Sequence, residues 1–113
     1  MPNGHDKNWV RFCAAVDGFR LKHGDWPTRL RVFPGALESL EALFSNEDFR
    51  RIQSIIALVA DEEGSFIAED DQGRQHNYGQ VGFPPDRPIP STRDYFRYEI
   101  GVTVLPPSER NPA

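Results

Sequence analysis

The run Ile55-Ile56-Ala57-Leu58-Val59-Ala60, followed by Asp61-Glu62-Glu63-Gly64, decides how the rest of the chain is read. Six consecutive apolar residues, three of them β-branched, have the length and composition of a buried strand, while their periodicity alone also fits a continuation of the preceding helix. We read them as the central strand of a sheet. Asp61 to Gly64 then make a turn, Ser65 to Glu69 a second strand, Asp70-Asp71-Gln72-Gly73 another turn, and Arg74 to Tyr78 a third strand. Asp, Asn and Gly supply the backbone conformations and local hydrogen bonds that such turns require. Three strands joined in this way predict an antiparallel meander.

Upstream of that run, Ser45 stands where a helix cap belongs, with Asp48 at the acidic position of a capping box and Phe44 and Phe49 at hydrophobic-staple spacing, so a helix runs from near Asn46 to Ser54. Before it, Pro34 opens a short helix with Leu37, Leu40, Leu43 and Phe44 on one face and Glu38 and Glu41 outside. Thr28 to Phe33 alternates, placing Leu30 and Val32 on one side of a strand and Arg29 and Arg31 on the other. The first helix spans Asp6 to His23, on which Trp9, Phe12, Cys13, Val16 and Phe19 form an apolar stripe. Lys22 and His23 suit its C-terminal end, Gly24 a left-handed cap, and Pro27 stops continuation.

Downstream, Pro84, Pro85, Pro88 and Pro90 exclude regular structure from most of Gly79 to Thr92. From Arg93 the pattern has period two, with Phe96, Tyr98, Ile100, Val102 and Val104 on one side and Tyr95, Arg97, Glu99 and Thr103 on the other. That alternation predicts a last long strand, kinked at Gly101, whose free edge suits pairing with a second copy across a two-fold axis. A helical turn starting after Ser91 or Thr92, with Asp94 in its first turn and only Gly101 to Leu105 extended, is the rival. The fold expected is α+β: N-terminal helices packed on one face of an antiparallel sheet built from the meander, the strand near Arg29 and a C-terminal strand. Residues 1–105 form one domain and 106–113 a Pro-rich tail.

The 113 residues are 38% hydrophobic and 27% charged, with two Trp, three Tyr and eight Phe, enough apolar volume for one core and too much for wholesale disorder. Seventeen acidic side chains against thirteen basic ones leave a net charge of −4, the wrong sign for a protein held on nucleic acid by bulk electrostatics. Cys13 is the only cysteine, which excludes an intrachain disulfide and a Cys-based zinc site. No apolar run approaches the roughly 18 residues that span a bilayer, and Met1-Pro2-Asn3-Gly4-His5-Asp6 lacks the regions of a signal peptide. We expect a cytoplasmic protein without membrane contact.

Catalytic and cofactor signatures are sparse. His5, His23 and His76 have no metal-ligand spacing, Ser65 lacks a nucleophile-elbow motif, Cys13 falls on an apolar stripe, and the glycines form no phosphate-binding loop. We expect neither metal nor cofactor. His76 shares a strand face with Arg74 and Tyr78, a trio suited to an anion or small ligand, although a solvated strand face is the more ordinary explanation.

Charge groups in two places. Glu62, Glu63, Glu69, Asp70 and Asp71 fall at adjacent ends of the meander, where they suit a basic partner surface; a divalent cation or a merely solvated acidic surface are the alternatives. Arg29 and Arg31, with Arg50, Arg51 and Trp26, suit phosphate contacts and stacking on a nucleic acid, although pairing with neighbouring Glu and Asp also explains them. Tyr95, Phe96 and Tyr98, near Phe83 and the proline loop, are the rigid amphipathic side chains of protein-binding surfaces. If Phe96 and Tyr98 face inward, Tyr95 and Arg97 are the exposed pair. Taken together, these features favour a non-enzymatic protein acting through protein–protein contacts, a small acidic inhibitor or accessory factor of bacterial or mobile-element type, as monomer or homodimer. A ligand site or enzyme at His76, Arg74 and Tyr78 is one alternative, and a nucleic-acid binder using Arg29, Arg31, Arg50 and Arg51 the other.

Overall fold

Helix α1, Gly4–His23, opens the computed structural model, which describes residues 4–61, 66–78 and 91–105. Glu62, Glu63, Ser65, Phe83, the proline loop and the 106–113 tail lie outside the described residues. The stripe expected on α1 is its buried face: Phe12, Val16 and Phe19 are fully buried and Trp9 and Cys13 nearly so. Gly24, at φ 78°, ends the helix in the left-handed conformation, and its N–H reaches the Arg20 carbonyl at 2.8 Å.

Strand β1 (Arg29–Val32) leads through α2 (Pro34–Ala42) and α3 (Asn46–Ile55) into β2 (Ala57–Ala60). Ser45 caps α3 as expected, its hydroxyl accepting the Asp48 N–H at 3.1 Å. Strands β3 (Ile67–Glu69) and β4 (Gln75–Asn77) follow, and after the proline-rich stretch come α4 (Thr92–Asp94) and the π-helix Tyr95–Ile100 that continues it.

The protein is α+β, but its sheet is mixed, with strand order β2-β1-β3-β4. β1 and β2 run parallel, whereas β1–β3 and β3–β4 are antiparallel. The expected meander is therefore corrected: β1 inserts between β2 and β3, because α2 and α3 supply the long crossover that a parallel pair needs. The run that opened the sequence reading is also split. Phe49, Ile52 and Ile56 continue the helical spacing of α3's buried face, so Ile55 remains helical and Ile56 completes that face. What remains, Ala57–Ala60, is an edge strand with only Leu58 buried, and β1 takes the central position.

Register lines the side chains into rows. Leu58, Leu30, Ala68 and His76 cross the sheet on the inner face, while Ala57, Arg29, Glu69 and Gln75 cross it on the outer. α1 packs on the inner side of β3 and β4. Fully buried Phe12, Phe19, Phe66 and Phe96 dominate the core, each worth roughly 1.5–3 kcal/mol of transfer free energy.

The C-terminal strand is the second correction. Ser91 caps a helix, accepting the Asp94 N–H at 3.1 Å, as the rival reading has it, and Gly101, at φ 83°, closes the π-helix. Phe96 and Ile100 are four residues apart, a spacing that strand and helix periodicities both satisfy, and the cap and the left-handed glycine decide between them. Residues 102–105 form no regular element and lie outside the sheet, fastened where the Leu105 N–H meets the Leu43 carbonyl at 2.7 Å. The edge proposed for pairing two copies does not exist there.

Candidate functional site

On the outer sheet face, the two charged groups read from the sequence as separate surfaces are one network. Arg29 pairs with Glu69 at 2.9 Å and with Asp71 at 2.8 Å. Arg31 pairs with Asp61 at 3.0 Å and also with Glu69. The cause lies in register: Arg29 stands directly opposite Glu69 across the β1–β3 ladder, the geometry in which opposite charges attract most. Asp70 is spent locally. Its buried carboxylate accepts the N–H groups of Gln72 and Arg74 at 3.0 Å each and the Arg74 Nε–H at 2.7 Å. Burial pushes this carboxyl's pKa up, but the Arg74 and backbone hydrogen bonds outweigh it and hold the group below its usual value.

Trp26 does not join Arg29 and Arg31. It lies under the Arg20 guanidinium at 4.0 Å and 4.7 Å from the Tyr95 ring. Arg51 pairs with Glu47 at 2.7 Å on its own helix, and Arg50 is exposed. No aromatic ring stands on the β-strand positions of the outer face, so none lies between the arginines for a base to stack on; the exposed Phe33 follows the end of β1.

The His76 trio is divided by burial. His76 lies beneath α1, where the absence of a side chain at Gly18 makes room for its ring; a Cβ there would collide with Nε2. Its Nδ1 is buried without a partner. Burial, assisted by the positive charges of Lys22 and His23, lowers its pKa. Arg74 is tied to Asp70 and, at 3.1 Å, to Asp25, and Tyr78 is exposed against Phe66. Burial first, and then Asp17, raise the Cys13 thiol pKa far above the usual range, which disfavours the thiolate that a nucleophile needs. Among the described residues no group of three His, Cys, Asp or Glu is placed to hold a metal, and no helix is long and apolar enough to cross a membrane.

A third place shows a different arrangement. The segment 91–105 is fastened to α1 by Asp17, whose carboxylate accepts the Thr92 N–H at 2.7 Å and its hydroxyl at 2.5 Å. Phe96 then packs against the stacked pair Trp9 and Phe12, 5.9 Å from each ring. At Gly101 the chain turns back, and the returning residues leave a groove of about 230 Å³ lined by Trp9, Arg93, Arg97, Val102, Thr103 and Val104. Arg93 and Arg97 are exposed on its lip, one turn apart, and neither makes an ion pair among the described residues. Arg97 lies 5.3 Å from the ring of Tyr98, which is 70% exposed.

Sequence reasoning singled out Arg97 and the aromatic end but exchanged two roles: Tyr95 is half-buried against Trp26, and Tyr98 is the exposed ring. Arg93 and the groove itself were missed, because a strand reading sends residues 93 and 97 along an extended edge instead of stacking them one turn apart. The Ser91 cap and Gly101 were the signals that pointed to the helix. Comparison of the chain with protein-family models, curated proteins and solved structures finds no match.

Proposed function

We propose that the protein acts without catalysis, by binding another protein through the groove between α1 and the 91–105 segment. The observation that carries this is the pairing state of the arginines. Arg29, Arg31, Arg51 and Arg74 are each held by carboxylates, whereas Arg93 and Arg97 flank a partly apolar recess without an ion pair among the described residues; Arg50, also without one, is a lone exposed charge on α3 that does not line the recess. Exposed Arg and Tyr around a partly apolar depression is the composition of protein-binding hot spots. At about 230 Å³ the recess falls below the roughly 300–1,000 Å³ of small-molecule sites. The π-helix that carries Arg97 adds support, since such wide turns occur often at functional positions.

The test is affinity capture from the native host with wild-type protein and with R93E/R97E, read by mass spectrometry. One stoichiometric partner, held by the wild type and lost from the variant, is expected. Turnover of a small molecule by the pure protein, with no partner recovered, would overturn the proposal.

A further inference from the structure

Building on that function, we infer that the occupant of the groove is an acidic segment of the partner, with carboxylates on both sides of one apolar side chain. The lip carries two guanidinium groups that form no ion pair among the described residues; the Asp48 carboxylate at the groove is engaged by the Thr103 N–H at 3.3 Å and by Arg51 at 3.5 Å. A guanidinium offers a planar fork of N–H donors that matches a carboxylate in two parallel hydrogen bonds. Between and beneath them, Val102, Val104 and one edge of Trp9 form an apolar floor, with room for one or two side chains rather than for a cofactor.

Nucleic acid would also present anions to Arg93 and Arg97, but it fits the floor less well. Trp9 is only 6% exposed, its faces being taken by Phe12 at 4.9 Å and by the edge contact with Phe44 at 4.9 Å, so the floor offers no ring for a base to stack on; the exposed ring, Tyr98, stands beside Arg97 and does not line the groove. The net charge of −4 would repel a long polyanion. A short acidic segment meets little of that repulsion, because charges farther than about 8–10 Å are screened at ordinary ionic strength. Aliphatic contact flanked by charge-assisted hydrogen bonds describes a peptide.

The experiment uses the full chain, ¹⁵N-labelled, and two acetylated, amidated hexapeptides: Leu-Phe flanked on each side by two Glu, and the same with Lys. The Glu peptide should shift the Thr103 and Val104 amides and the Arg93 and Arg97 Nε–H signals. It should bind about tenfold or more tighter than the Lys peptide, and lose that advantage in salt of about 0.5 M, as exposed ion pairs do. R93E/R97E should abolish the preference while melting like the wild type; should it melt lower, R93Q/R97Q replaces it. Equal binding of both peptides, no binding of either, or shifts confined to another surface would overturn the acidic-segment assignment. A captured partner lost from R93E/R97E, together with indifference to the Glu peptide, sinks that assignment alone. A partner held equally by wild type and variant sinks it and the groove-binding proposal together.

Discussion

The outer face of the sheet and the lip of the groove carry the same side chain in opposite states. Arg29 and Arg31 lie on the central strand, each engaged by two carboxylates that share Glu69 as a hub. Arg93 and Arg97 lie on a short helical segment and form no ion pair among the described residues. A β-ladder fixes which residues stand opposite one another, so an Arg beside a Glu on the next strand is neutralised by the fold itself. A helix end lying across a groove imposes no such partner, and its charge stays free for another molecule. Acidic and basic clusters counted along a chain therefore say little about function until their pairing is known.

The strongest way to break the contrast is to remove the buried ring that anchors the groove's helical segment to the core. Phe96→Ala should cost about 3–5 kcal/mol, as Phe deletions in cores do, measured by urea unfolding. It should release Arg93 and Arg97 from their places while leaving the sheet network intact; a loss under 1 kcal/mol would mean that the 91–105 segment is not part of the core.

Gly18→Ala comes next. At most helix positions this change stabilises by about 0.5–1 kcal/mol, but here the new Cβ meets the His76 ring and overpacking should cost about 1–3 kcal/mol. In the Gly18→Ala/His76→Ala double variant the two losses should fall short of their sum. His76 also sets a pH dependence. Its folded pKa is lowered by burial and by Lys22 and His23, so the unfolded chain takes up the proton first. Stability is complete above the unfolded value of about 6.5 and falls as pH drops from there toward the folded pKa. Melting curves from neutral to mildly acid pH should show this fall in the wild type and its absence in His76→Phe. Asp70 acts at stronger acidity: its contribution holds above the unfolded value of about 3.9 and is lost as pH falls through its lowered folded pKa.

Glu69→Ala sharpens the comparison directly. It takes one carboxylate from both Arg29 and Arg31, at a cost of about 1–3 kcal/mol, and turns the outer face toward the state of the groove. With Asp71→Ala added, retention on heparin should rise above that of the wild type; unchanged retention would show that the network does not mask the arginines. The smallest effect belongs to R93E/R97E, which should leave stability within about 0.5 kcal/mol, as exposed substitutions do, while removing the bound partner.

Local signals were legible where they act alone. The Trp9–Phe19 stripe, the Ser45 cap, the Gly24 termination and the inward pair Leu30 and Val32 all appear at the places the sequence indicates. The misreadings share a cause. In 55–60 and in 93–100 the apolar spacing satisfies two periodicities, and neighbours distant in sequence settle which one is adopted. Ile56 is drawn into α3's face, and Phe96 is drawn against the stacked Trp9 and Phe12.

By itself, the sequence determined the class of the fold, the positions of α1, α3 and β1, and the choice of Leu30 over Arg31 for the interior, because helix caps, turns and alternation are short-range effects. Strand order, the parallel β1–β2 pair, the partners of each arginine and the existence of the groove were decided by tertiary structure alone. Each depends on which segments meet across the core, and that choice is made by the shared burial of residues tens of positions apart.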